Sequence, residues 1–135
     1  MNEDTAKNWI AKAESDLKIG KDEMLTEKPA TDAVCFHMQQ CVEKYPKAYL
    51  IFHGKEFRKT HDIAELIKSC SEIDSEFTKL LEVKVVELTD YAVVVRYGEE
   101  FYYPSVEETK ETIEIAEKIK SFVLNKLKEK RFKSD

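Results

Sequence analysis

Glycine and proline are scarce in this sequence, with three of each in 135 residues. Tight turns in β-sandwiches and small barrels depend on these residues, so their scarcity argues against an all-β fold. Cysteine also occurs three times, an odd number without the paired spacing of a zinc site. We expect Cys35, Cys41 and Cys70 to be free thiols, mostly buried, in a reducing compartment. No metal is expected.

Long apolar runs are also lacking, and none approaches the length that crosses a membrane. The first residues, Met1 to Asp4, do not form a signal peptide, so we expect a cytoplasmic protein. Neither a GxGxxG motif nor a P-loop is present, and no cofactor is expected. The net charge of −5 lacks the basic excess typical of non-specific nucleic-acid binding, although a small local RNA site remains compatible with it.

The residues that are abundant favour helices. Charged residues make up 36% of the chain, mostly Lys and Glu, and apolar residues make up 42%. Many helix formers with few helix breakers predict long helices rather than strands. We therefore predict one all-α domain over residues 1–135, an up-and-down helical bundle of about five helices.

Apolar periodicity places the first two helices at about residues 5–26 and 30–53. Pro46 lies inside the second helix, where it removes one backbone hydrogen bond and clashes with the preceding turn. Because the apolar period continues beyond it, we predict a kink at Pro46 and not an end. Gly54 is the expected stop.

The helices predicted between the second and the last are shorter or less regular than the first two. A third helix is predicted at about 63–70, capped by Thr60 or Asp62, and a fourth begins near Asp74. Ser105 and Glu108 form a capping box for the last helix, which runs to about residue 128. The lysines at its C-terminal end are expected to be solvated and to favour the helix dipole.

Three segments together resemble one family, the HEPN domains of the group associated with minimal nucleotidyltransferases. Residues 35–44 are similar to that group's CFHxQQxxEK stretch, residues 59–63 to its KTHDL, and residues 91–97 to its Y-x-x-x-RY. Their order and spacing match, and they span most of the chain. The resemblance implies a helical bundle that often forms a homodimer, with a minimal nucleotidyltransferase as partner. In such pairs the HEPN chain is often the toxin, a metal-independent ribonuclease.

Active HEPN nucleases carry an Arg-x4–6-His motif, which this sequence lacks. The candidate arginine is Arg96, and at the required spacings stand Phe101, Tyr102 and Tyr103. We therefore favour a binding subunit over an enzyme.

Some members carry a tyrosine two residues after the motif histidine, to which the nucleotidyltransferase adds AMP. Tyr103 matches that position, although aromatic packing or surface display is the alternative.

Five residues form the predicted site for a nucleotide or RNA phosphate. Arg96 is one of three arginines, and its guanidinium fork suits phosphate. The alternative for Arg96 is an ion pair with a nearby glutamate. His37 and His61 are candidates for acid–base work, and His61 could be oriented by Asp62 or could serve only in a helix cap. The predicted set is Arg96, His37, Gln40, Lys44 and His61. A ribonuclease that uses Arg96 with His37 or His61 is the alternative function. Gln39 and Gln40 are expected to make interhelical hydrogen bonds.

Overall fold

A computed structural model describes residues 2–92 and 103–129, and all regular secondary structure in these ranges is helical. Three helices are long: α1 (Asn2–Glu23), α2 (Thr31–Phe52) and α5 (Val106–Glu129). Two are short, α3 (Ile63–Ser71) and α4 (Val83–Val86), and 3-10 turns cover Ser75–Leu80 and Glu87–Thr89. The prediction of an all-α bundle is confirmed. Within the described ranges, no helix combines the length and apolar character needed to cross a membrane.

The first two long helices run antiparallel, and the third runs parallel to the second. Helices α1 and α2 are joined by the short segment 24–30 and run antiparallel. At the start of α5, the Thr109 hydroxyl lies 3.6 Å from Sγ of Cys35, near the start of α2. Near the end of α5, the Phe122 ring packs 5.0 Å from Phe77, which in turn packs 4.5 Å from Tyr49. Helix α5 therefore runs parallel to α2 and antiparallel to α1, as an up-and-down bundle requires.

Helix α2 lies at the centre of the core. Its side chains Met38, Tyr45, Tyr49 and Leu50 have no exposed surface. Helix α1 packs closely against it because Gly20 has no side chain: a Cβ at this position would lie 2.4 Å from Cε of Met38. The central helix is thus enclosed on most of its circumference, and few of its residues reach solvent.

The predicted ends of α2, α3 and the last helix agree with the structure, whereas α1 begins and ends three residues earlier than predicted. Helix α2 continues through Pro46 and ends before Gly54, whose φ of 67° is the left-handed conformation that glycine adopts readily. The Asp62 side chain caps α3 by accepting from the backbone N–H of Glu65 at 3.2 Å. At the start of α5 the Glu108 backbone N–H donates to Oγ of Ser105 at 3.0 Å, which is the Ser105 half of the predicted capping box.

The prediction of one regular helix from Asp74 onward is wrong. The segment forms two 3-10 turns separated by α4, and Leu81 has a non-helical ψ of 68°. A 3-10 turn places residues three apart on the same side. Phe77 and Leu80 both reach the core in this way, and Val85 of α4 and Leu88 of the second 3-10 turn are buried farther along. Packing of these pairs, together with the β-branched valines of α4, outweighs the helical propensity of the intervening lysines and glutamates.

All three cysteines are free and buried, as predicted. Burial raises the pKa of the Cys41 thiol to about 12, and it raises the pKa of Cys70 further. Thiols in such surroundings stay protonated at neutral pH and react slowly with oxidants and electrophiles.

Lys126 departs from the expectation of a solvated basic end. Its side chain is buried, and its Nζ lies 2.6 Å from Glu76 and 2.9 Å from Asp74, beside the first 3-10 turn. Hydrogen bonding to Glu76 raises the pKa of Lys126, and the same bond lowers the pKa of Glu76. The cluster fastens the end of α5 to the turn at 75–80.

Replacing Lys126 with Ala is expected to lower the free energy of unfolding by about 2 kcal/mol, because two charge-assisted hydrogen bonds are lost. Urea titration at pH 7 measures this, with the exposed Lys128→Ala as matched control. The lowered Glu76 pKa adds stability above the ordinary carboxyl value of 4.5, and that stability is lost as pH falls. The gap between wild type and variant should therefore narrow below about pH 4.5. Equal free energies of unfolding for wild type and Lys126→Ala at pH 7 would contradict the stabilising role of Lys126.

Candidate functional site

Helix α2 carries a row of charged and polar side chains on the side away from the apolar core. Positions 37, 40 and 44 lie on successive turns of one face, and positions 39, 43 and 47 lie on the adjoining face. Helix α1 contributes one carboxylate to this row, and the segment before α3 contributes one imidazole. We call the set the polar band; its members are Asp16, His37, Gln39, Gln40, Glu43, Lys44, Lys47 and His61.

Asp16 is the centre of the first half of the polar band. It stands in the buried stripe of α1, between Ala13 and Gly20, and is only 7% exposed. Its Oδ1 lies 2.9 Å from Nδ1 of His37, and its Oδ2 accepts from Nζ of Lys44 at 2.5 Å. A single carboxylate thus fixes two side chains that lie two turns apart on α2.

Glu43 is the centre of the second half and is 3% exposed. Its Oε1 accepts from Nζ of Lys47 at 2.6 Å, and its Oε2 accepts from Nε2 of Gln39 at 2.6 Å. Oε2 also lies 3.0 Å from Nδ1 of His61, a residue of the segment that leads into α3. The Gln39 amide oxygen in turn accepts from Nε2 of Gln40 at 2.6 Å. This buried carboxylate therefore joins Gln40 to His61 through a continuous set of hydrogen bonds.

The Lys47 ammonium is enclosed by aromatic rings as well as by Glu43. Its Nζ lies 5.4 Å from the centre of the Trp9 ring and 5.8 Å from that of Phe57. The two rings meet edge to face, 6.4 Å apart. Cation–π attraction and the Glu43 carboxylate together offset the cost of burying this charge.

The hydrogen bonds fix the tautomers of both histidines. An ionised carboxylate can only accept, so Nδ1 of His37 and Nδ1 of His61 each carry a proton and donate it. In each ring Nε2 is left to accept a proton or, when protonated, to donate one. Among the described residues, no hydrogen bond to either Nε2 is present. Both rings reach solvent: the His37 side chain is 30% exposed and the His61 side chain is 48% exposed.

Formal charges balance within the polar band. The carboxylates of Asp16 and Glu43 are matched by the ammonium groups of Lys44 and Lys47, so the band is neutral while its histidines are neutral. Protonation of either imidazole makes it positive and favours an anion. The arrangement can thus bind a phosphate and can exchange protons with it. Across residues 2–92 and 103–129, no three His, Cys, Asp or Glu side chains are grouped to hold a metal ion.

The structure places four of the five residues predicted for the phosphate site in two hydrogen-bonded clusters along α2. His37 and Lys44 share Asp16, whereas Gln40 and His61 are joined through Gln39 and Glu43. The partner predicted to orient His61 is wrong, because its ring bonds to Glu43 and Asp62 serves the cap of α3. The predicted interhelical bonds of the glutamines are also wrong: both amides donate within α2.

Sequence reasoning missed Asp16, Glu43 and Lys47 as members of the site. A signal for Asp16 was present, since it is the one acidic residue within the apolar stripe of α1. Arg96, the fifth predicted residue, lies outside the described residues, as do Phe101 and Tyr102. Tyr103 is described and its side chain is 67% exposed, which matches surface display and not packing.

Comparison with known proteins identifies the family. The HEPN domain profile matches residues 6–128. The chain belongs to the HEPN family. A protein of Methanocaldococcus jannaschii named "Putative toxin MJ1304" is 37% identical over 139 aligned positions, covering 93% of this chain and 90% of the relative. The crystal structure of ST0689, an archaeal HEPN homologue, has the same fold, with a TM-score of 0.67 and 24% identity over 90% of this chain and 97% of that one.

Replacing Glu43 with Ala is expected to lower the free energy of unfolding by about 3 kcal/mol, because Lys47 keeps its buried charge and loses its counter-ion. Urea unfolding followed by the fluorescence of Trp9, the single tryptophan, measures the change beside the Lys47 ammonium. Glu14→Ala, an exposed glutamate of α1, is the matched control and should change stability little. A Glu43→Ala variant as stable as Glu14→Ala would refute the role of the buried pair.

Proposed function

We propose that this HEPN chain is the toxin-side subunit of a cytoplasmic toxin–antitoxin pair, that its partner is a minimal nucleotidyltransferase, and that its polar band binds the phosphate of a nucleotide or RNA. The observation that carries the proposal is membership of the HEPN family over residues 6–128, with a relative of similar length named as a toxin candidate. The resemblance of residues 35–44 to the nucleotidyltransferase-associated group supports the choice of partner.

The geometry of the polar band supports phosphate binding. Lys44 supplies an ammonium group, and His37 presents Nε2 on a ring whose orientation is fixed by Asp16. Gln40 adds an amide beside them, one turn before Lys44. Donors that are positioned before the ligand arrives lose little entropy when it binds, which favours recognition of a small anion.

A homodimer is part of the proposal, as is a role for Tyr103. The resemblance implies dimerisation, and exposed apolar side chains such as Leu25 and Val83 are available for contacts. The exposed Tyr103 hydroxyl is accessible to the partner enzyme. Transfer of AMP would form a bond between its Oη and the α-phosphorus of ATP, release pyrophosphate and lose the hydroxyl proton. Such a change adds negative charge to this surface.

Co-expression of this chain with the product of its neighbouring gene, which we expect to be a minimal nucleotidyltransferase, tests the pairing. We expect the two proteins to elute together in size-exclusion chromatography with light scattering, at micromolar concentrations. Incubation with ATP should add the mass of one AMP to wild type and none to Tyr103→Phe, which keeps the ring. Separate elution at these concentrations counts against the partnership. AMP on Tyr103→Phe counts only against the assigned tyrosine.

A second candidate function is metal-independent ribonuclease activity, and the two histidine–carboxylate pairs favour it. Cleavage needs a base for the 2′-hydroxyl, an acid for the departing 5′-oxygen and a cation for the phosphorane. The bond from the 2′-oxygen to phosphorus forms as the bond to the 5′-oxygen breaks, and one proton is taken up while another is given. His37 and His61 could exchange these protons through Nε2, and Lys44 or Arg96 could supply the positive charge.

Incubation of purified protein with total RNA in EDTA tests this second function. Activity should fall at least about 100-fold in His37→Ala and Arg96→Ala if these groups act in proton transfer and charge stabilisation. Arg58→Ala is the matched control, since that arginine is exposed and pairs with Glu65 at 2.8 Å, away from the polar band. Wild type without cleavage, or variants as active as wild type, would exclude the second function and leave the binding role intact.

A further inference from the structure

A small pocket lies where the end of α1 meets the start of α2. Its volume is about 100 Å³, and its walls are formed mainly by Ile19, Gly20, Ala33 and Val34. Three of its lining residues, Gly20, Ala30 and Ala33, are small, which leaves this space open at the junction. Ile19 is 49% exposed, so one apolar wall faces solvent without covering residues.

The two polar side chains that line this pocket differ in what they offer. Glu23 contributes a carboxylate, whose Oε2 accepts from the backbone N–H of Ala30 at 2.9 Å and the Thr26 hydroxyl at 3.3 Å. Its Oε1 accepts no hydrogen bond within the described part of the chain. A carboxylate can take about four hydrogen bonds, so Glu23 keeps the capacity to accept from a ligand.

His37 joins this pocket to the polar band. The ring lines the pocket, and its Nδ1 bonds to Asp16, which also holds Lys44. A ligand whose planar group enters the pocket would therefore place its remaining atoms near Nε2 of His37 and Nζ of Lys44. A flat, largely apolar ring joined to an anionic group is the general form of a nucleotide.

We propose that this pocket holds the base of the nucleotide or RNA whose phosphate binds at His37 and Lys44, and that it prefers guanine. The inference rests on the phosphate site of the proposed function. Guanine presents two neighbouring donors, N1–H and the 2-amino group, and Glu23 can only accept. Adenine and cytosine place an acceptor nitrogen beside their amino group, and uracil flanks N3–H with two carbonyl oxygens. Each of these bases turns at least one acceptor toward the carboxylate.

An aliphatic side chain of a protein partner fits the pocket less well. It would cover Glu23 and His37 without giving either one a hydrogen-bond partner, which costs desolvation energy. A base gives Glu23 its donors and can pack against Ile19 and the imidazole ring. At about 100 Å³ the pocket admits the N1 edge of a base and not a whole nucleotide, so the rest of the base, the sugar and the phosphate lie outside it, toward Lys44.

Calorimetric titration with inorganic phosphate, ribose 5-phosphate, 5′-GMP, 3′-GMP, AMP and UMP tests the base pocket. The better of the two GMP isomers should bind at least about tenfold more tightly than ribose 5-phosphate, near the lower end of what one stacked base contributes. Ala33→Phe, which fills the pocket from an exposed position, should remove this difference and leave phosphate binding unchanged. Ala11→Phe, at an exposed position of α1 that does not line this pocket, is the matched control.

Glu23→Gln is the second variant, in case Ala33→Phe does not fold. It should reduce the preference for GMP over AMP and leave ribose 5-phosphate unaffected. Equal binding of GMP and ribose 5-phosphate by wild type would overturn the base pocket while the phosphate site stands. Absence of binding by every phosphate compound would overturn both. If Ala33→Phe breaks the complex with the nucleotidyltransferase but leaves GMP affinity unchanged, the pocket receives a protein side chain and the proposal fails.

Discussion

Helix α2 is surrounded by other elements and still carries charged side chains, so each charge must find a partner inside the bundle. Glu43 and Lys47 satisfy this requirement for each other, and Asp16 satisfies it for Lys44. An unpaired charge in such surroundings would cost several kcal/mol, a large fraction of the stability of a small domain. The position of α1, the segment before α3 and the orientation of both histidines follow from these pairings. The phosphate site that we propose uses side chains whose positions are already fixed by the fold.

Periodicity predicted the long helices because their formation depends on local pattern: apolar residues every three or four positions, a capping box at Ser105 and a glycine stop at Gly54. It failed after Asp74, where a 3-10 turn places Phe77 and Leu80, three residues apart, in the core. Three members of the polar band on α2, His37, Gln40 and Lys44, were also predicted, since they lie in a family-like segment. Their partners were not, because the contact of His37 with Asp16 spans 21 positions and that of His61 with Glu43 spans 18. Such contacts depend on how the helices pack, and the spacing of residues along the sequence does not indicate them.

Family membership and chemical capacity are separate properties of this chain. The HEPN fold is shown by the match over residues 6–128, but a fold can carry many functions. The nuclease motif lacks its histidine at Phe101, whereas the polar band holds two histidines with fixed tautomers. The loss of one motif residue therefore does not leave the chain without groups that could exchange protons with RNA. The fold alone does not distinguish cleavage of RNA from simple binding. Substitution of the histidines that carry the two imidazoles distinguishes these functions.

The contact between Asp16 and Lys44 also affects how any anion can bind. The Lys44 ammonium already has a counter-ion at 2.5 Å, so an arriving phosphate competes with a resident carboxylate instead of meeting a bare charge. An anion that binds to Lys44 must then replace Asp16 as the partner of the ammonium group. The energy gained from the new contact is offset by the energy lost with the old contact. Such a site favours rapid release over tight retention.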